Sequence, residues 1–129
     1  MKGFLVFIVI FALCVSALVP IGNLLVNQGY KHRDRPWAAR AVVTGGRIRM
    51  HMLQYPEARA ALEPLPQYFP AYPRRDKIYF WIGLCYEKEH NPRLAREWYR
   101  RFLSTWPNHP WADQVREHDA RLEVSGVTP

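Results

Sequence analysis

The groups in this chain best suited to nucleophilic, acid–base or metal chemistry are two cysteines, five histidines and 11 acidic residues, and their spacing serves none of these chemistries well. Cys14 and Cys85 form no C-x-x-C pair, no haem-attachment motif and no zinc-ligand set with the histidines. Cys14 lies in an apolar run and Cys85 in an apolar stripe, so no disulfide is expected between them. His32, His51, His90, His109 and His118 are scattered, and each is expected to be a surface or partly buried side chain. His118 stands beside Asp119, but neighbours on a helix face different ways, so they make no catalytic pair. Glu87 and Glu89 also diverge and are expected to be solvated charges near a helix end. Gly45-Gly46 follows no strand and precedes no Gly-Lys-Ser or Gly-Lys-Thr, so it is not a phosphate loop. No catalytic residue, no cofactor and no metal are expected. The chain does not read as an enzyme.

A net charge of +7 and a pI near 9.8 raise nucleic acid as a partner. Basic residues interleaved with Tyr30, His32 and Trp37 have the types needed to meet phosphates and stack on bases. The excess is local, however. Lys31 to Arg75 holds nine Lys or Arg against Asp34, Glu57 and Glu63, whereas Asp76 to Pro129 holds eight of each sign. With no recognisable nucleic-acid module, that partner is not expected.

The basic half follows a segment without charge from Gly3 to Tyr30. Phe4 to Val26 is mostly apolar and longer than the about 20 residues that cross a bilayer as helix. Pro20, Gly22 and Asn23 weaken its outer third, where a kink is expected. A secretory signal peptide competes with this reading, with Lys2 as its basic start, Phe4 to Cys14 as its apolar core and Val15-Ser16-Ala17 as a permissible cleavage site. Apolar character continues past Ala17 through Leu25, which favours a retained single-pass anchor. Leu13 before Cys14 argues against a lipid-modified cysteine. Lys31, Arg33, Arg35 and Arg40 are expected to flank the membrane and to attract anionic headgroups. The positive-inside tendency then places the following domain in the cytoplasm, with a periplasmic placement as the alternative.

Beyond the anchor the pattern is helical. Ile78, Tyr79, Ile82, Cys85 and Tyr86 line one apolar stripe. Gly83 interrupts it at a cost of about 1 kcal/mol relative to Ala, which suits a site where a second helix comes close. Asn91 and Pro92 form a helix start, because Asn caps free N–H groups and Pro fits the first helical position. The next helix puts Leu94, Ala95, Trp98, Tyr99, Phe102 and Leu103 on one side, with Ala95 expected against Gly83. Arg93, Arg96, Glu97, Arg100 and Arg101 are expected on the polar side, and Pro107 and Pro110 end the pair. Upstream, Gly46, Ala58 and Pro70 repeat the spacing of Gly83, Ala95 and Pro107. Val42 and Arg49 stand there in place of Tyr79 and Tyr86, and Pro64 and Pro66 should break a helix spanning Pro56 to Glu63. Trp111 to Glu123 offers a capping helix with Trp111, Val115 and Leu122 on one face.

The run Tyr79, Ile82-Gly83, Tyr86, Ala95, Tyr99 and Pro107 resembles a tetratricopeptide repeat, well matched over 76–109 and degenerate over about 39–72. Phe102 departs from it, standing where a small residue is usual. The resemblance implies protein binding, with the inner faces of the first helices lining a concave surface. Those positions are Arg40, Val43, Arg47 and Met50 in the first pair, and Lys77, Phe80, Leu84 and Glu87 in the second. Phe80 and Leu84 occupy slots where some members carry a carboxylate clamp, so no such clamp is implied. A mixed apolar and cationic groove suits an amphipathic or extended segment with apolar anchors and some acidic character. Trp106 and Trp111 form a further candidate surface, or pack beneath the cap.

The expected architecture is all-α: a transmembrane anchor over 1–30, a basic linker over 31–38, a short antiparallel helix-pair array with its cap over 39–123, and a frayed tail over 124–129. The expected function is that of a scaffold or accessory subunit within a membrane protein complex. The alternative is an assembly or quality-control factor that binds clients transiently in a bacterial periplasm. Self-association through the exposed ends of the array into a homo-oligomer is a third reading.

Overall fold

Apolar residues at helical spacing fold into seven helices and, among the described residues 1–126, no strand. In the computed structural model these are α1 (Lys2–Lys31), α2 (Ala38–His51), α3 (Tyr55–Leu62), α4 (Leu65–Tyr68), α5 (Arg75–Lys88), α6 (Pro92–Thr105) and α7 (Ala112–Val124). Residues 127–129 of the expected tail lie outside the described ones.

Helix α1 is apolar all round for most of its length and is long enough to cross a membrane, and none of its most apolar window is buried. It runs unbroken through Pro20. Its last third behaves differently. Gly22, Val26 and Gly29 are buried there against α2. A Cβ on Gly29 would lie 2.5 Å from Val42 Cγ2 and 2.7 Å from the Ala38 carbonyl oxygen, and one on Gly22 would meet Ile48 at 3.1 Å. Low numbers on α1 therefore meet high numbers on α2, so the two helices are antiparallel and their backbones nearly touch. The end of the apolar run doubles as the first packed helix of the domain. Small residues permit that approach, because nothing else leaves room for two helix backbones.

The pairs α2–α3 and α5–α6 share internal geometry. Gly46 faces Leu62 and Gly83 faces Tyr99, at the same separation in sequence. Both first helices end in a left-handed residue, Leu53 and His90, each at φ 59°. In both, the next N–H reaches back five residues: Gln54 to the Arg49 carbonyl at 2.8 Å, and Asn91 to that of Tyr86 at 2.9 Å. This Schellman closure satisfies carbonyls that the helix end would otherwise leave open. Pro64 and Pro66 break the chain after α3 as expected, leaving only the single turn α4. At α6, Asn91 accepts from the Leu94 N–H at 3.4 Å and Pro92 sits in the first turn.

The side-chain atoms nearest a Cβ on Gly83 are those of Tyr99, with Cε1 at 2.5 Å, so the aromatic ring fills the notch. One expectation needs correction. Arg96 is not on a polar face, since α7 covers that side of α6 and leaves Arg96 2% exposed. The core runs through Val42, Leu62, Leu65, Ile78, Ile82, Tyr99, Phe102 and Val115, all fully buried, so one apolar body joins the two pairs to the cap.

Candidate partner-binding groove

Structure brings the scattered titratable residues together in two clusters. Asp76, in the first turn of α5, accepts from Arg74 Nε at 3.1 Å and Nη2 at 2.9 Å, and lies 2.6 Å from His109 Nε2. His109 Nδ1 accepts the Trp111 N–H at 2.9 Å. That bond assigns the ring proton to Nε2, which donates to Asp76. Both nitrogens of His109 are then engaged, and the dyad ties the α6–α7 turn to the start of α5. Burial pushes the Asp76 carboxyl up, but hydrogen bonds from Arg74, His109 and the Lys77 N–H outweigh it and hold it at about 2. A depressed carboxyl contributes stability that is full above its unfolded value near 4 and is lost as pH falls through about 2. Asp76→Asn is therefore expected to cost about 1–2 kcal/mol near neutral pH. In denaturant titrations the gap between the two proteins should narrow as pH falls from 4 and close below about 2; a full gap that persists at pH 2 would count against this account.

The second cluster centres on Glu87. Its carboxylate accepts from the Tyr99 hydroxyl and lies 3.0 Å from His118 Nδ1, while Arg121 Nη2 stands 3.7 Å away. The His118 ring packs on Phe80 and Tyr99 at 5.7 and 5.6 Å between centroids. Burial and the bond to Glu87 push the Tyr99 hydroxyl far up, so it stays a neutral donor. Glu89 meets Arg59 at 2.6 Å. The two glutamates diverge as expected, but neither is a solvated charge: each fastens one helix to another. Asp119 turns away from His118 to Arg96. Cys85 is fully buried, and burial pushes its thiol up to about 12, which makes it unreactive. Among the described residues no group of three or more His, Cys, Asp or Glu is placed to hold a metal.

The open concave surface lies between α2 and α5. A groove of about 270 Å³ is lined by Arg47, Met50, His51, Tyr55, Trp81, Leu84 and Lys88. The Arg47 guanidinium stands 5.2 Å from the Trp81 ring centroid, a cation–π contact that braces its wall. Of the eight positions the resemblance implies, Arg47, Met50 and Leu84 line this groove. Val43 and Phe80 are only 7% and 6% exposed and belong to the core. Phe80 touches the rings of Tyr99, Phe102 and Trp111, and Glu87 is taken by α7. Lys77 is half-buried with its amine 5.9 Å from the Trp111 ring centroid. The face available on α5 is thus turned by one residue, to Trp81, Leu84 and Lys88. His51, Tyr55, Trp81 and Lys88 were missed, although the place of Trp81, four after Lys77 and three before Leu84, carried a signal. Trp106 and Trp111 are half-buried against Tyr79, Phe102 and Phe80, as packing beneath the cap requires.

Arg40 is exposed and lines a second concavity of about 360 Å³ with Arg35, Phe69 and Tyr72. Lys31, Arg33 and Arg35 sit at the end of α1 remote from Met1, with Arg33 4.5 Å from the ring centroid of Tyr68. Comparison with protein-family models, with curated proteins and with solved structures finds no match to this chain.

Proposed function

We propose that this chain is a single-pass, membrane-anchored scaffold or accessory subunit with a tetratricopeptide-like domain, holding a segment of a larger membrane complex in the α2–α5 groove. The observation that carries the reading is the groove itself. Trp81, Leu84 and Met50 offer apolar contact, while Arg47 and Lys88 add positive charge at its edges. Such a surface accepts an amphipathic or extended segment with apolar anchors and acidic neighbours. The anchor supplies a second attachment, and the two together gain through effective concentration, which a domain this small needs. The basic excess between Lys31 and Arg75 favours the cytoplasmic side.

Gentle solubilisation of native membranes followed by affinity isolation tests this reading. Stoichiometric membrane proteins should accompany the chain. The double variant Arg47→Glu with Trp81→Ser should weaken that association about thirty-fold, or about 2 kcal/mol, as expected for an anchor at the centre of an interface. Arg47 is exposed and Trp81 is half-buried against the core, so the double variant should also lose some stability, and the comparison is made well below both melting temperatures. Isolation of the chain alone, or a scatter of substoichiometric clients, would instead favour the transient factor. A reporter fused to the C-terminus, active on only one side, decides between cytoplasm and periplasm.

A further inference from the structure

The turn between α2 and α3 exposes an apolar side chain where the equivalent turn does not. Leu53 and His90 hold the same left-handed position in the two helix pairs. That conformation favours Gly and tolerates Asn, Asp or His, and a bulky Leu is unusual in it. Leu53 is moreover 71% exposed and contributes nothing to the core. We propose that this turn, with Leu53 at its tip, is seated in the outer hydrocarbon layer of the bilayer that α1 crosses. The inference rests on reading α1 as a membrane span.

The α1–α2 register sets the depth. Gly29 faces Ala38 and Val42, Gly22 faces Gly45 and Ile48, and the Asn23 side-chain Oδ1 accepts from Arg49 Nη2 at 2.9 Å and Nε at 3.1 Å. Continued in the same antiparallel sense, Met52 and Leu53 come level with Ala17 and Leu18. A bilayer core about 30 Å thick takes about 20 residues of helix, which from Gly3 reaches Gly22. The turn then lies about 6 Å inside that boundary, at 1.5 Å per residue. Ile21 and Leu24, 46% and 57% exposed on α1, would border the same layer.

The surrounding chemistry fits a shallow seat. By the same register Arg47 comes level with Asn23, at headgroup height, and Arg49 and His51 come level with Ile21 and Val19, from where a long or polar side chain reaches back to the headgroups, whereas Lys31, Arg33 and Arg35 are displaced to the opposite end of the α1–α2 hairpin. The backbone is also prepared for a medium without water. The N–H groups of Met52, Leu53 and Gln54 are all bonded, to the carbonyls of Ile48, Met50 and Arg49. These three donors would therefore meet lipid already satisfied.

Nitroxide labels on the full chain in vesicles of phosphatidylcholine and phosphatidylglycerol test this. Cys14→Ser removes the exposed native thiol, and the buried Cys85 does not label. Single cysteines are then introduced by Leu53→Cys, Ile10→Cys and Asp34→Cys, and each label is relaxed by oxygen and by a water-soluble nickel chelate. The label at 53 should report a depth of about 5–10 Å below the headgroups. The label at 10 should be deeper, and that at 34 should be in water. A deep label at 10 with a water-accessible one at 53 overturns the inference and leaves the anchor standing. A label at 53 shielded from both reagents assigns the turn to a protein contact and equally overturns it. A label at 10 open to the chelate removes the anchor and the inference together.

Discussion

Gly45→Leu is expected to separate α1 from α2 and to destabilise the domain by about 3 kcal/mol or more. The site leaves no route for relief. A Cβ on Gly45 would stand 2.6 Å from the Gly22 carbonyl oxygen and 3.1 Å from the Val26 amide nitrogen, both backbone atoms that no rotamer change moves. The helices would have to part, and Val26 and Val42, which fill the seam, would lose contacts together. Thr44→Leu, one position away on an exposed surface, should change stability by less than about 0.5 kcal/mol and serves as the control. Thermal unfolding in mild detergent reads the difference. Limited proteolysis should add cleavage between Lys31 and Arg40 in the Gly45 variant alone. Equal melting temperatures for the two variants would mean that α1 is a tether rather than part of the folded body.

That seam also shows where the sequence could and could not be read. The helix pairs were legible because Gly46, Ala58 and Pro70 repeat the spacing of Gly83, Ala95 and Pro107, and because the prolines mark the breaks. An apolar stripe announces that a face is buried, but not against which neighbour. Gly22 was read only as a weakness of a membrane helix and Gly29 was not singled out, since small residues say nothing about their partner until the register is known. The notch at Gly83 was correctly foreseen as a close approach, yet Tyr99 reached it across the crossing helix before Ala95. Charge misled for a related reason. Arg96, Glu87 and Glu89 are polar by type, so periodicity places them in water. Each found an oppositely charged or hydrogen-bonding partner on another helix, and such long-range pairing leaves no trace in spacing. The groove suffered by a single residue of rotation, enough to exchange Phe80 for Trp81.

Arg96→Ala is expected to be the most damaging change on α6, at about 3–5 kcal/mol. The guanidinium is 2% exposed, pairs with Asp119 at 2.9 Å and reaches Glu123 at 3.7 Å. Truncation removes its buried stem and strips Asp119 of its nearest cation, leaving Arg100 at 3.7 Å. Arg96→Met should cost clearly less, because it retains the packing volume. Adding Asp119→Asn to it should cost less than the sum of the two single changes, since the carboxylate is no longer a buried charge lacking its partner. Because the pair is withdrawn from water, these differences should vary little between low and moderate salt. Chemical denaturation of the four proteins supplies the cycle. The result bears on function, because α7 is what covers Phe80 and engages Glu87 on the inner side of α5. If Arg96→Ala costs the full amount, the cap is fixed and the groove available to a partner ends at Leu84. If it costs less than about 1 kcal/mol, α7 is held weakly enough for a partner to displace it. The concave surface would then extend over Phe80 and Glu87, the positions that the tetratricopeptide-like pattern implies.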